Sequence, residues 1–77
     1  MNATARENML ITMAARAGSM ETQGYISLPG GSAGEDRLAD FVCAAVDNYL
    51  QRRETEDLIF DEFIENALER NFPPAQA

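Results

Sequence analysis

The residues with the clearest chemical pattern are acidic and lie in the last third of the sequence. Four carboxylates recur at strict four-residue intervals, which on an α-helix places them on one face. They are Asp57, Asp61, Glu65 and Glu69. Glu62 lies beside this row, and Leu58 is an apolar side chain within it. Like charges at this spacing destabilise an isolated helix by about 0.2–0.5 kcal/mol per pair. The row therefore indicates either a solvated face that keeps the protein soluble or a contact surface for a basic partner.

Other residue types that carry chemistry are scarce. The 77-residue sequence has no histidine and one cysteine, Cys43, so it offers no histidine-activated nucleophile and no zinc-ligand set. The oxygen spacing of a calcium-binding EF-hand loop is not matched either. We therefore predict that the protein is not an enzyme and that it holds neither a metal nor a cofactor.

The stretch GYISLPGGSAGED, residues 24–36, has the layout of a phosphate-binding loop: a short apolar run, then glycines, then a helix start. It contains no lysine to reach a phosphate. Glu35 and Asp36 are expected in the first helical turn, where they would repel an anion. We interpret the loop as a joint between two elements.

The net charge of −7 is unevenly distributed. Residues 1–34 are balanced, whereas residues 35–77 carry eleven acids and four arginines. A negative domain repels the phosphate backbone, which disfavours direct binding to nucleic acid. No apolar run approaches the length of a membrane span, and the sequence starts without a signal-peptide pattern. Together with the single cysteine, these features predict a cytoplasmic protein with no membrane association.

Hydrophobic periodicity predicts a mainly α fold in one small acidic domain, residues 1–77. Helices are expected at about 5–17, 33–52 and 56–71, followed by a loose tail over residues 73–77. Two capping boxes and a Thr55 N-cap mark the helix starts, and Gly18 is a candidate C-cap for the first helix. The capping boxes are Thr4 with Glu7 and Ser32 with Glu35. No strong helix breaker separates the second and third helices, so one long helix is the alternative to a break.

The second helix is predicted to have one apolar and one acidic side. Asp36, Asp40 and Asp47 fall within a narrow arc opposite the apolar stripe and form a second candidate surface for a basic partner. The apolar side should pack against the third helix. The expected core is Leu38, Phe41, Val42, Ala45, Tyr49, Phe60, Phe63, Ile64 and Ala67.

Residues 25–28 alternate apolar and polar side chains, which predicts a short strand or extended segment. A lone strand cannot satisfy its own backbone, and a chain this short covers little apolar surface. We therefore predict a homodimer or higher symmetric oligomer. Its interface would use Ile26 and Leu28 of the strand, or Val42, Val46 and Leu50 of the second helix.

The order strand, helix, helix resembles the ribbon-helix-helix family of DNA-binding regulators, with YISLP as the strand and FDEFIENAL in the second helix. The resemblance implies a dimer whose ribbon enters the major groove, with Gln23, Tyr25 and Ser27 facing the bases. The sequence departs from that pattern because the ribbon carries no basic residue. In addition, Glu56 and Asp57 stand where the second helix should meet phosphate.

Size and charge resemble those of small acidic proteins of phages and mobile elements, which block nucleases or CRISPR complexes by imitating DNA charge. From the acidic pattern we predict a protein–protein interaction module that occupies a basic, nucleic-acid-handling surface of a partner. The alternatives are a ribbon-helix-helix-like transcriptional regulator and a small structural subunit of a larger complex.

Overall fold

The computed structural model describes residues 4–75 and contains three helices. They are α1 (Ala5–Thr22), α2 (Gly31–Arg52) and α3 (Phe60–Asn71). The predicted mainly α fold is confirmed, and no strand forms within residues 4–75. Residues 73–75 of the predicted loose tail are irregular, and residues 76 and 77 lie outside the described range.

Helix α1 begins where its capping pattern predicts. The Thr4 hydroxyl accepts a hydrogen bond from the Glu7 backbone N–H at 3.1 Å and donates one to the Glu7 carboxylate at 3.1 Å. Thr4 itself is extended, as an N-cap residue should be. One otherwise unpaired amide of the first turn is thereby satisfied.

The predicted end of α1 at Gly18 is wrong, because the helix continues to Thr22. Its true stop is Gly24, which has φ of 85°. The Tyr25 N–H bonds the Met20 carbonyl at 2.9 Å and the Gly24 N–H bonds the Glu21 carbonyl at 3.0 Å, which is a Schellman motif. The added turn buries Met20 in the core, and that burial outweighs the cost of about 1 kcal/mol for a glycine inside a helix.

Helix α2 starts two residues earlier than predicted, and its expected capping box does not form. Its N-cap is Gly30, without a side-chain hydrogen bond, and Ser32 already lies inside the helix. Gly31 has φ of 76°, a conformation that favours glycine. Gly34 is buried, and a methyl group there would overlap the Pro29 carbonyl. The loop glycines therefore let the chain turn closely into α2.

A break separates α2 from α3, as we predicted in preference to one long helix, but α3 starts at Phe60 rather than at residue 56. Thr55 does not cap α3. Its hydroxyl donates to the Arg52 carbonyl at 3.4 Å, and the Glu56 N–H bonds the same carbonyl at 2.9 Å. The Glu56 carboxylate also pairs with the Arg52 guanidinium at 2.9 Å. Residues 55 and 56 are thus used to end α2.

Helices α1 and α3 both run antiparallel to α2. Arg6 near the start of α1 meets Asp47 near the end of α2, and the rings of Phe72 and Phe41 pack edge to face 5.1 Å apart, joining the end of α3 to α2. The core between the helices is apolar, and no charged residue of the described chain is buried in it. Its members are Met13, Ala17, Met20, Ile26, Val42, Ala45, Val46, Tyr49, Ile64, Ala67, Leu68 and Phe72.

The core predicted between α2 and α3 is confirmed in part. Val42, Ala45, Tyr49, Ile64 and Ala67 are buried. Four other predicted members are only partly buried and pack against this core: Leu38, Phe41, Phe60 and Phe63. The predicted core did not include Val46, Leu68 and Phe72, which are also buried. The helical spacing of Met13 and Ala17 indicates that α1 packs against the later helices, and both side chains are buried there.

The sequence predicts a short strand or an extended segment at residues 25–28. No strand forms there, and the stretch is irregular and crosses the end of α3. The Ser27 N–H donates to the Phe72 carbonyl at 3.1 Å, and Ile26 is 3% exposed. Here the segment gains its contacts from α3 of the same chain, whereas the prediction assigned them to a second copy.

The residues expected in an oligomer interface lie mostly inside the single chain. Ile26, Val42 and Val46 belong to the core and present no surface to a second copy. Leu28 and Leu50 are half-buried against it. Three of the five side chains of the predicted interface are thus covered by the chain's own helices, and the oligomer itself stays a prediction.

Candidate interaction surfaces

The acidic row is shorter on the structure than in the sequence. Asp61, Glu65 and Glu69 lie on α3, whereas Asp57 and Leu58 precede the helix and belong to the connection after α2. The predicted single helical row of four carboxylates is therefore wrong in its first member. The reason is the late start of α3, at Phe60.

Two carboxylates of the row are held by an arginine from another helix. Arg16 of α1 places Nη1 at 2.5 Å from Glu65 Oε1 and Nη2 at 3.7 Å from Asp61 Oδ1. The Arg16 side chain is 30% exposed, so the contact lies at the edge of the core. This guanidinium offsets the like-charge repulsion on α3. No local pattern in the sequence indicates this contact, because residue spacing within one helix does not identify partners on another.

The end of the α2–α3 connection is the most exposed apolar point beside the predicted acids. Ile59 is 62% exposed and Leu58 is half-buried. Both line a groove of about 230 Å³, together with Asp57 and Glu62, which we call the tip groove. The structure thus brings together three residues that the sequence predicted as partner-binding, and adds Ile59, which the prediction missed.

Two arginines also line the tip groove, Arg52 and Arg70. Arg52 donates from Nε and Nη2 to the two oxygens of Glu56, both at 2.9 Å. These hydrogen bonds lower the pKa of the Glu56 carboxyl and raise that of the Arg52 guanidinium. Arg52 is thereby neutralised within the chain, and its guanidinium lies 5.5 Å from the centre of the Phe63 ring.

The three predicted acids of α2 differ in their contacts. Asp36 and Asp40 are exposed. Asp47 accepts two hydrogen bonds from Arg6, at 2.8 Å from Nε and 3.2 Å from Nη2. This bonding lowers the pKa of the Asp47 carboxyl and raises that of Arg6. Asp47 therefore fastens α1 to α2, whereas no ion pair within residues 4–75 includes Asp36 or Asp40.

A second groove, of about 540 Å³, lies between the end of α1 and α3, and we call it the α1–α3 groove. The exposed ring of Tyr25 forms part of it. The remaining walls are mainly polar and include Arg16, Ser19, Gln23, Glu65 and Glu69. The groove combines an aromatic face with carboxylates, which is a combination suited to a cation.

The glycine loop differs in one respect from its sequence interpretation. Because α2 starts at Gly31, no acid lies in its first turn, and Glu35 follows in the second. The predicted repulsion of an anion by first-turn carboxylates is therefore wrong. The loop still lacks a lysine, and its glycines at 31 and 34 serve the turn geometry described above. Cys43 is an exposed free thiol on α2.

Comparison of the chain with protein-family models, with curated proteins and with solved structures found no match. Among residues 4–75, no three His, Cys, Asp or Glu side chains are grouped so as to hold a metal ion. No helix in that range has both the length and the apolar character needed to cross a membrane.

Proposed function

We propose that this protein is a small acidic interaction module that occupies a basic surface of a partner protein, one that otherwise holds nucleic acid. The observation that carries the proposal is the tip groove. It places an exposed Ile59 and a half-buried Leu58 next to the carboxylates of Asp57 and Glu62. An apolar centre with a polar rim is the general anatomy of a protein–protein interface.

The distribution of charge supports the same proposal. The chain carries thirteen acids and six arginines. In the described structure, Arg6, Arg16 and Arg52 are each paired with carboxylates of the same chain. Three of the six arginines therefore form ion pairs within the chain, while acids such as Asp40, Asp57, Glu62 and Glu69 stay exposed. A field of one sign steers an oppositely charged partner and speeds its association.

The proposed mechanism divides the two roles between residue types. The acids bring a basic surface into register, and this step is weakened by salt because exposed charges are screened. Ile59 and Leu58 then lose their contact with water, which gives the complex its lifetime. An inhibitor acting in this way blocks nucleic acid by occupying its site rather than by chemistry.

The test is a capture experiment from lysate of the native host, with the wild-type protein and three variants as bait and mass spectrometry as the readout. The anchor variant is Ile59→Ser and the charge variant is D57N/E62Q. The matched control is E21Q/E35Q, which removes the same two charges from exposed positions elsewhere. We expect one basic protein to bind the wild type and the control, and to bind both tip variants at least about tenfold more weakly.

The captured protein is then titrated at low and high salt and in competition with nucleic acid. Displacement of nucleic acid by the wild type supports the inhibitor, and a constant one-to-one ratio in every growth condition supports a structural subunit instead. Equal binding by the wild type and D57N/E62Q, at both salt concentrations, would refute the acidic module.

The proposal includes self-association, which would present the acidic surfaces twice. Since Ile26, Val42 and Val46 are buried, a symmetric contact has to use other side chains, and Leu28, Leu50 and Ile11 are accessible in part or in full. Sedimentation equilibrium in moderate salt measures this directly. A mass near 8.5 kDa at every concentration would remove the oligomer without affecting the acidic surface.

A further inference from the structure

We propose that the α1–α3 groove receives a single arginine side chain of a basic partner. This inference rests on the proposed function, since it names a residue type that the acidic module recognises. Its site is separate from the tip groove: Tyr25, Glu65 and Glu69 line the α1–α3 groove, whereas Leu58 and Ile59 line the other.

The chain already shows that this face of α3 holds a guanidinium. Arg16 contacts both Asp61 and Glu65, two carboxylates four residues apart. Glu65 and Glu69 repeat that spacing one turn further along α3, and both line the groove. No ion pair formed within residues 4–75 includes Glu69. The Glu65–Glu69 pair therefore has the same spacing as the Asp61–Glu65 pair that holds Arg16. Its exposed Glu69 carboxylate is available for an external cation.

Tyr25 supplies an aromatic face in the same groove. Its backbone is fixed by the Schellman motif at the end of α1, while its side chain remains 57% exposed. A cation over a tyrosine ring is attracted by the negative face of the ring. Gln23 is likewise fixed, because its amide donates to the Ser19 hydroxyl at 3.1 Å. The Schellman motif therefore sets where the Tyr25 side chain leaves the backbone before a ligand arrives.

Charge and shape favour arginine over the other candidates. Arg16 is matched by Asp61 and Glu65, so the charge left in the groove is that of Glu69, which disfavours an anion. A guanidinium is planar, donates two parallel hydrogen bonds to a carboxylate and stacks on an aromatic ring. The compact ammonium of lysine is not planar, so it cannot form the two parallel hydrogen bonds and stack on the ring at the same time.

The test uses two blocked tripeptides as probes, Gly-Arg-Gly and Gly-Lys-Gly, titrated into ¹⁵N-labelled protein and followed by amide chemical shifts. We expect the arginine peptide to shift amides around Tyr25 and Glu69, and the lysine peptide to bind about tenfold more weakly. Glu69→Gln and Tyr25→Leu should each weaken the arginine peptide by a similar factor. Glu21→Gln, an equal charge change outside the groove, should leave its affinity unchanged.

Both groove positions are exposed, and thermal melts of the variants establish that the fold is retained. Shifts confined to other surfaces, or equal affinity for the two peptides, would overturn the assignment. The result is independent of the capture experiment. If the arginine peptide binds but no partner is captured, the assignment of the groove stands and the proposed function is refuted. If a partner is captured but binds the Glu69→Gln and Tyr25→Leu variants as well as the wild type, the proposed function stands and the assignment of the groove is refuted.

Discussion

The guanidinium of Arg6 and the carboxylate of Asp47 form a two-point contact across 41 positions of sequence. It joins the first turns of α1 to the last turns of α2 and so fixes the antiparallel alignment of the two helices. Both side chains are exposed, so the contact contributes alignment more than free energy. One of the predicted partner-binding acids is thereby assigned to the fold of the chain itself.

The Arg6–Asp47 contact predicts a dependence of stability on pH. The pKa of Asp47 in the folded protein lies below its ordinary value of 3.8, because Arg6 hydrogen-bonds the charged form. Its contribution is therefore present above that value and is lost as the pH falls through the lowered pKa. Asp47→Asn should lower the melting temperature at pH 7, and its difference from the wild type should shrink as the pH falls below 3.8, as followed by circular dichroism.

The control for this experiment is Asp40→Asn, an exposed acid on the same side of α2. It removes the same charge but no ion pair of the described structure, so its melting temperature at pH 7 should match or exceed that of the wild type. The Asp47 effect should also shrink in 1 M salt. Equal melting temperatures for wild type and Asp47→Asn across this pH range would contradict the role of the contact.

Phe72 is a second point at which the structure makes a sharp prediction. It follows α3, is 4% exposed, and packs edge to face against Phe41, with the Arg37 guanidinium 5.6 Å from its ring centre. Phe72→Ala should cost about 3–5 kcal/mol, which is most of the stability of so small a domain. Urea denaturation measures the loss. Ile59→Ala is the control, since its exposed side chain should change stability by less than about 0.5 kcal/mol.

The apolar stripes were sufficient to predict the three helices, because core packing and the 3.6-residue period select the same residues. The buried positions of α2 and α3, such as Val42, Tyr49 and Ile64, follow directly from this periodicity. The helix ends were predicted less well. Gly18 and Thr55 have the right residue types for caps, but Met20 gains more from burial than Gly18 costs, and Thr55 is taken by the Arg52 carbonyl.

The sequence was sufficient to predict that acidic side chains are abundant on α2 and α3, but not which of them pair with arginines of the same chain. That Asp47, Asp61 and Glu65 pair within the chain depends on where Arg6 and Arg16 of α1 come to lie. Such contacts join residues more than 40 positions apart, and no local pattern specifies them. The two grooves also depend on helix ends that local patterns did not predict. The tip groove lies at the late start of α3, and the α1–α3 groove lies at the extended end of α1.

Two glycines should respond in opposite ways to the same substitution. Gly18 lies inside α1 with open space around it, so Gly18→Ala should stabilise the protein by up to about 1 kcal/mol through helix propensity. Gly34 lies inside α2, but a methyl group there would overlap the Pro29 carbonyl, so Gly34→Ala should lower the melting temperature. Thermal melts of the two variants compare them directly, and a stabilising Gly34→Ala would contradict the close approach of Pro29.

The contact of Arg16 with α3 predicts an energetic coupling between two helices. Arg16→Ala removes the cation and leaves Asp61 and Glu65 facing each other on α3, so it should destabilise the protein by more than Glu65→Ala does. A double-mutant cycle of R16A and E65A, measured by urea denaturation, should give a coupling of about 0.5–1 kcal/mol. The same cycle of Arg16 with Glu62, which lies on α3 without an ion pair to Arg16 in the described structure, should give none. A coupling that is equal for Glu62 and Glu65 would show general attraction between opposite charges, and would remove the specific arginine contact on which the geometry of the α1–α3 groove depends.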